Sequence, residues 1–219
     1  MLVEDIMNTN VVTLQPSATI AKALELLHKH KIRHIPIVNE ENEVIGIVSD
    51  RDVRDASPSI FESASGDAHP ELQNQLHTIM SSPVVTVHPL DFAEEIASIF
   101  YEEEFACVPV VSNDKLIGMV TEKDMLYSLI QLTGTNVQGS HIEVKVPDRP
   151  GILPEVTAIF GKRRTNIVSV LIYPYKQDPA FKILVFRIQT MNPLPVIDDL
   201  QEAGFTLIWP KLDMQGPRP

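Results

Sequence analysis

The chain has 219 residues, a net charge of −11 at neutral pH and 44% hydrophobic residues, a composition typical of globular proteins with room for two or three small domains. No apolar run approaches the roughly 20 residues that span a bilayer, and the N-terminus lacks a basic-then-apolar leader, so we expect a cytoplasmic protein. The acidic balance argues against direct nucleic-acid binding. A single cysteine, Cys107, excludes an internal disulfide, and we expect it to fill a core.

Charge is distributed unevenly along the chain. Residues 1–140 carry 8 basic and 21 acidic side chains, whereas residues 141–219 carry 10 basic and 8 acidic ones. Such a shift in composition predicts a domain boundary near residue 140. Because cations are scarce in the first part, those that lie near repeated motifs are candidate phosphate contacts.

The first 135 residues contain two copies of one sequence pattern. Four motifs recur at an offset of 73: Ile6-Met7 with Ile79-Met80, Val11-Val12-Thr13 with Val84-Val85-Thr86, Pro16 with Pro89, and Ile35-Pro36-Ile37-Val38 with Val108-Pro109-Val110-Val111. A fifth, Gly46 to Asp52, recurs as Gly118 to Asp124 at an offset of 72. A one-residue change in a turn explains the difference. We therefore predict repeats at 1–60 and 77–135, joined by a linker at 61–76.

Each repeat is predicted to contain a short strand, a helix, two strands and a second helix. In the first repeat, residues 11–14 are extended and Pro16-Ser17 opens a helix that ends near His30. Residues 35–38 and 44–48 then form a hairpin, and a helix begins at Asp50. The nearby histidines do not converge as metal ligands would, so no metal site is predicted. Those histidines are His28, His30 and His34.

The repeated Gly46 motif joins a strand to a helix. Ser49 stands where a helix N-cap would, and Asp52 follows it by three residues, which predicts a capping box with Asp in place of Glu. Thr121 and Asp124 repeat this arrangement in the second copy. Recurrence of both the hydroxyl and the carboxylate suggests a role beyond local capping.

After a second linker at 136–140, residues 141–210 show a different pattern. Three strands are predicted at 141–146, 167–173 and 181–188, with a helix at 152–160 after the first of them. A helix at 195–203 and a strand at 205–209 complete a βαββαβ order, which suits a small ferredoxin-like domain. Residues 211–219 are predicted to be a tail.

These motifs resemble two known families. The strands Ile35-Pro36-Ile37-Val38 and Val108-Pro109-Val110-Val111, with the two Gly-to-Asp motifs, resemble a pair of CBS domains. Asp148-Arg149-Pro150-Gly151-Ile152-Leu153 and Thr165-Asn166-Ile167-Val168-Ser169-Val170 resemble an ACT domain. The resemblance implies an α/β (α+β) chain with two tandem CBS repeats packed as a pseudo-twofold pair, followed by a βαββαβ ferredoxin-like ACT domain.

Resemblance to CBS pairs implies two clefts that bind an adenine nucleotide such as AMP, ADP or ATP as a regulatory ligand. The motif hydroxyls and carboxylates would hold the ribose, through Ser49 with Asp52 and Thr121 with Asp124. For the phosphates, the family pattern assigns Arg33 and Lys123 to the Asp52 cleft, but Ala106 and Arg51 to the Asp124 cleft. The Asp52 cleft is therefore expected to bind phosphate more tightly.

Apolar residues around the clefts are candidates for the adenine pockets, although each serves equally well as core. The candidates are Ile47, Val85, Val108 and Pro109 for the Asp52 cleft, and Met119, Val12, Ile35 and Pro36 for the Asp124 cleft.

Resemblance to ACT domains implies an amino acid or small acid bound between two copies. The implied contacts are Gly151, whose backbone permits close approach, the amides of Ile152 and Leu153 at a helix start, and Asn166. Pro154 removes one donor from that first turn. Dimerisation without a ligand is the alternative role.

Two classes of function remain open. One is a non-catalytic regulator that senses adenine nucleotides and acts on an unidentified protein; the other is a nucleotide-dependent enzyme. Against an enzyme, the sequence shows no nucleophile with a neighbouring base, no Gly-rich phosphate loop and no catalytic metal set. A transcriptional regulator acting through a partner is a further alternative. We expect no catalytic cofactor, no membrane contact and at least a homodimer.

Overall fold

The computed structural model describes residues 1–56 and 70–211, and these divide into two compact units, Met1–Leu126 and Tyr127–Pro219. The predicted linker at 61–76 and the predicted tail at 211–219 therefore lie largely outside the described residues. Within the described ranges, no helix combines the length and the apolar character needed to cross a membrane.

The first repeat has the predicted order of elements. Its helices are α1 (Ile20–His30) and α2 (Asp50–Asp55), and between them β1 (His34–Val38) pairs antiparallel with β2 (Val44–Ser49). The hydroxyl of Thr19 caps α1 by accepting from the backbone N–H of Lys22. The predicted strand at 11–14 pairs only through Leu14, which forms a parallel bridge with Ile37.

The second repeat repeats this architecture. It contains α3 (Ala93–Glu102), β3 (Cys107–Ser112), β4 (Lys115–Thr121) and α4 (Glu122–Thr133), with β3 and β4 antiparallel. Its counterpart of the Leu14 bridge joins Val87 to Val110. The boundary between the two compact units falls inside α4.

The two repeats exchange their N-terminal segments. Val3 is fully buried in the core of the second repeat, where Ile6 and Met7 also pack. Leu76, its counterpart at the offset of 73, is fully buried in the core of the first repeat, together with Ile79 and Met80. The end of the predicted linker is thus a core element, and each repeat depends on the other for a complete core.

Backbone pairing fixes this exchange and explains the repeated glycines. Asn8 bridges to Met119 and, in the mirrored position, Ser81 bridges to Ile47. A Cβ at Gly46 would lie 2.5 Å from the sulfur of Met80, and one at Gly118 would lie 2.7 Å from the sulfur of Met7. A side chain at either position would force the exchanged methionine to move, because the methionine lies directly against the strand backbone.

The C-terminal unit contains a four-stranded antiparallel sheet in the order β6-β7-β5-β8, with two helices on one face. Its elements are β5 (Ser140–Pro147), α5 (Ile152–Lys162), β6 (Ile167–Pro174), β7 (Phe181–Ile188), α6 (Leu194–Glu202) and β8 (Thr206–Trp209). Alternate residues of β5 and β7 pack on both helices, with the rings of Phe160 and Phe186 4.7 Å apart. This is the predicted βαββαβ order.

Residues just before β5 are hydrogen-bonded to the edge strand β6 and to the inner strand β7. Ser169 Oγ donates to the carbonyl of Thr133 at 2.8 Å, and Arg187 Nη2 donates to the carbonyl of Val137 at 2.7 Å. The residues predicted as a second linker are therefore ordered against the C-terminal unit.

Candidate functional site

The repeated motif forms the same cap in both repeats. Asp52 Oδ2 accepts from the backbone N–H and the hydroxyl of Ser49, both at 2.7 Å, and the Asp52 N–H donates to Ser49 Oγ at 3.2 Å. The corresponding bonds from Thr121 to Asp124 Oδ2 are 2.9 Å and 2.6 Å. The predicted capping box is confirmed, and it holds each carboxylate at the start of a helix.

A cavity of about 520 Å³ lies against the second of these motifs, between the two repeats. Both repeats and the exchanged N-terminal segment line it. The lining residues are Asn8, Asn10, Val11 and Val12; Lys31, Ile32, Arg33 and His34; and Ala106, Met119, Thr121, Glu122, Lys123 and Asp124. A volume of this size is typical of small-molecule sites.

The cavity gathers cations in an acidic part of the chain. Three of the 8 basic residues in 1–140 line it, namely Lys31, Arg33 and Lys123, against two acidic residues, Glu122 and Asp124. The three cationic side chains are exposed at its edge. Such a cluster favours an anionic group of a ligand, although solvent screens each contact.

The structure places two of the predicted phosphate contacts in the other cleft. Arg33 and Lys123 were assigned to the Asp52 cleft, but both line the cavity that contains Thr121 and Asp124. The reason is the geometry of the pair: the end of α1 in one repeat lies across from the motif of the other repeat. Arg51, the remaining phosphate candidate, is exposed on α2 and does not line this cavity.

Among the adenine candidates, Val12 and Met119 line the cavity. Ile35 and Val108 do not, and their prediction as adenine contacts is corrected, because both are fully buried inside the repeat cores. Side chains alternate along a strand, so the neighbours of these two residues face the opposite side. The other candidates, Pro36, Ile47, Val85 and Pro109, are not among the residues that line this cavity.

Three residues of the cavity that bear charge or titrate were not predicted there, namely Lys31, His34 and Glu122. Lys31 ends α1 in a left-handed conformation with φ 53°, and His34 is the first residue of β1. Burial is the largest influence on His34 and lowers its pKa, against the opposing effect of Asp50 and Asp52. The position of Lys31 and His34 between the end of a helix and the Ile-Pro strand, three residues apart, was the available signal.

The residue that corresponds to His34 in the second repeat is Cys107. Burial raises the pKa of its thiol to about 12, with a smaller contribution from Glu122. The thiol is therefore neutral and unreactive near pH 7, as expected for a residue that fills a core.

The candidate ligand residues of the C-terminal unit do not come together in one chain. Gly151, Ile152 and Leu153 form the start of α5, with Gly151 at φ 83°, whereas Asn166 follows the end of that helix. An 11-residue helix separates the two ends by about 16 Å. Asn166 Nδ2 also donates to Gln189 at 3.0 Å. A cavity of about 390 Å³ in this unit is lined by other residues, among them His141, Leu194 and Trp209.

Metal binding finds no support in the part of the chain that the structure describes. Within it, no three His, Cys, Asp or Glu side chains are grouped so that they could hold one ion.

Family comparison agrees with the fold and the motifs. The CBS domain family matches residues 3–59 and 76–131, and the ACT domain family matches residues 140–204. The chain belongs to the CBS-domain family and carries a C-terminal ACT domain. Both predicted families are thereby confirmed, and proteins built from these domains are generally regulatory.

Relatives of the CBS pair include proteins of several architectures. The chain is 26% identical over 200 residues to the uncharacterized protein MJ1225 of Methanocaldococcus jannaschii, covering 90% of this chain and 63% of the relative. It is 35% identical over 126 residues to homoserine O-acetyltransferase of Methanococcus vannielii, covering 57% of this chain and 24% of that enzyme. The chain thus spans less than two thirds of the length of these relatives.

Solved structures similar to the chain match its CBS pair. One is described as an acetoin utilization protein (AcuB) from Vibrio cholerae, with 32% identity, a TM-score of 0.53 and coverage of 62% of this chain and 95% of that one. CBSX2 of Arabidopsis thaliana in complex with AMP has 26% identity and a TM-score of 0.51, covering 59% and 96%. The CBS pair of MJ0100, in complex with 5'-methylthioadenosine and S-adenosyl-L-methionine, has 27% identity and a TM-score of 0.50, covering 59% and 95%.

Proposed function

We propose that this protein is a non-catalytic regulator that binds an adenine nucleotide in the cleft beside Asp124. The observation that carries the proposal is the cavity itself, which combines the motif carboxylate with three cations in an otherwise acidic half of the chain. Binding of AMP by CBSX2 and of adenosyl ligands by the MJ0100 pair supports adenine as the base.

Each part of a nucleotide has a counterpart in this cleft. Asp124 uses Oδ2 in the cap, and Oδ1 would accept from a ribose hydroxyl. Val12 and Met119 offer apolar surface to the base, and Lys31, Arg33 and Lys123 offer charge to the phosphates. A charge-assisted contact contributes about 1.5–3 kcal/mol when desolvated and less at an exposed edge.

Matched aspartate variants test this assignment. Calorimetry with ATP and AMP should show that Asp124→Ala weakens binding by about 10-fold or more, for the loss of charged hydrogen bonds worth about 1.5–3 kcal/mol. Asp52→Ala removes the same kind of cap from the other repeat and is the control for stability. If Asp52→Ala abolished the tightest binding and Asp124→Ala preserved it, the proposed site would be refuted.

Lack of catalysis is part of the proposal. The match to homoserine O-acetyltransferase covers only 24% of that enzyme, which fits a CBS pair that accompanies a separate catalytic domain. We expect ATP to be recovered unchanged after prolonged incubation with the purified protein. Release of ADP or phosphate in amounts that match the ATP consumed would instead favour an enzyme, provided that Asp124→Ala abolishes the release.

A role in acetoin utilisation is supported by the similarity to the AcuB structure. The nucleotide would then control a protein partner of that pathway. Deletion of the gene should slow growth on acetoin but not on glucose, and wild-type protein should restore growth better than Asp124→Ala. Equal growth on both carbon sources would argue against this role.

We further propose a homodimer formed through the ACT domain. Its edge strand β6 carries Leu171, Ile172 and Tyr173 exposed, and such an edge gains by pairing with a second copy. Two copies would also be needed to bring Gly151 of one chain near Asn166 of the other around an amino acid or small acid. Light scattering should give twice the mass of the 24.5 kDa chain at micromolar concentration, and a monomer would refute it.

A further inference from the structure

His34 lies on the cleft side of β1. Ile35, the next residue, is fully buried in the core of the first repeat, so strand alternation directs His34 to the opposite side. There it lines the cavity together with Arg33 and Lys123, the cations to which phosphate binding was assigned. His34 therefore lines the same cavity as the side chains proposed to contact a phosphate.

The charges around His34 come from its own segment, from α2 and from α4. Arg33 precedes it, Asp50 and Asp52 face it from α2, and Glu122 faces it from α4. The rest of the cavity adds Lys31, Lys123 and Asp124. Asp52 is already engaged by both donors of Ser49, so its negative charge is partly compensated.

In the ligand-free protein this environment favours the neutral imidazole. Burial lowers the pKa of His34 from its ordinary value of 6.5, and this effect exceeds the attraction of the neighbouring carboxylates. The ring lies beside Arg33 and shares the cavity with Lys31 and Lys123. Arrival of a phosphate group with about two negative charges reverses the balance, because an opposite charge at close range favours the protonated ring.

Resting on the proposed function, we infer that His34 takes up a proton from solvent when a nucleotide phosphate binds, so that phosphate and proton bind to this cleft together. The imidazolium then donates a charge-assisted hydrogen bond to a phosphate oxygen. By linkage, affinity rises as pH falls, with a limit of about tenfold per pH unit for one proton. Acidification would thereby increase occupancy by phosphorylated ligands and leave a nucleoside without phosphate unaffected.

Calorimetry in two buffers with different heats of protonation measures this uptake directly. AMP and ATP should be titrated at pH 7.5, where their own phosphates are largely deprotonated. The wild-type protein should take up a fraction of a proton per nucleotide more than His34→Gln does. Between pH 8 and pH 6.5, the gain in affinity should be about three- to tenfold larger in the wild type than in His34→Gln.

Three controls separate this role from a structural one. His34→Lys carries a fixed charge and should bind AMP tightly at pH 8 without proton uptake. His30→Gln, at the exposed end of α1, should behave as the wild type. Adenosine should bind without any proton uptake that depends on His34.

The two proposals fail in different ways. Equal proton uptake by the wild type and His34→Gln, with nucleotide binding intact, would overturn the role of His34 and leave the nucleotide site standing. Absence of AMP and ATP binding by the wild type at any pH from 6 to 8.5 would overturn both.

Discussion

The two CBS repeats share their architecture but differ in the residues that face the cleft. Positions that determine the fold are retained: the exchanged segments, the glycines opposite methionine and the capping motifs all recur. Three positions at the end of the first helix diverge. At the offset of 73 they pair Lys31 with Glu104, Arg33 with Ala106 and His34 with Cys107.

The divergence changes charge without changing the backbone. Lys31 and Glu104 both adopt a left-handed conformation, with φ 53° and 55°, yet their charges are opposite. The cleft beside Asp124 therefore has three cations, whereas the corresponding positions around Asp52 have Arg51 as a cation and Glu104 as an added anion. The two repeats thus retain one fold but carry different charges at matching positions of their clefts.

Substitutions in the exchanged segments are expected to have the largest effect on stability. Leu76→Ala should lower the free energy of unfolding by about 2–5 kcal/mol, because it opens a cavity in the core of the first repeat although it lies just before the second. Val3→Ala, its counterpart, should cost less because fewer carbon atoms are removed. Urea unfolding followed by circular dichroism measures both.

A matched surface variant shows whether the loss comes from the core. Leu90→Ala removes the same atoms from a side chain that is 59% exposed and should change stability by less than about 0.5 kcal/mol. If Leu76→Ala were equally mild, the exchanged segment would not be part of the folded core in solution.

The next largest effect is expected on ATP affinity, when the charged residues of one cleft are replaced by those at the matching positions of the other. Lys31→Glu combined with Arg33→Ala makes the Asp124 cleft match its counterpart, and ATP binding should weaken by about 10- to 100-fold, or about 1.4–2.8 kcal/mol. The reverse pair, Glu104→Lys with Ala106→Arg, should strengthen ATP binding at the Asp52 cleft, measured in an Asp124→Ala background.

Adenosine serves as the control ligand for these exchanges because it lacks phosphate. Its affinity should change little in either variant. Equal weakening of ATP and adenosine by Lys31→Glu with Arg33→Ala would mean that the substitutions distort the cleft rather than remove phosphate contacts.

Much of the fold could be predicted from the sequence, because repetition and local patterns carried it. The offset revealed the two repeats, and strand alternation and capping residues located their elements. The predicted capping box of Ser49 and Asp52 forms the expected hydrogen bonds. The segment exchange was not predicted, since nothing local distinguishes Val3 packing on its own repeat from packing on the other one. The same limit caused the wrong assignment of Arg33, because a long-range arrangement decides which motif it faces.

Acid stability gives the smallest effect and contrasts the two matching positions, His34 and Cys107. Because the folded protein lowers the pKa of His34, the unfolded chain binds more protons just below the ordinary value of 6.5, so stability is full above that pH and declines as pH falls through it. His34→Gln should flatten this part of the decline in the ligand-free protein. Cys107→Ala should leave the slope unchanged, since a thiol with a pKa of about 12 stays neutral throughout. Urea unfolding at intervals from pH 7.5 to 5.5 measures both slopes, and a slope for His34→Gln as steep as that of the wild type would show that His34 does not titrate differently in the folded and unfolded states.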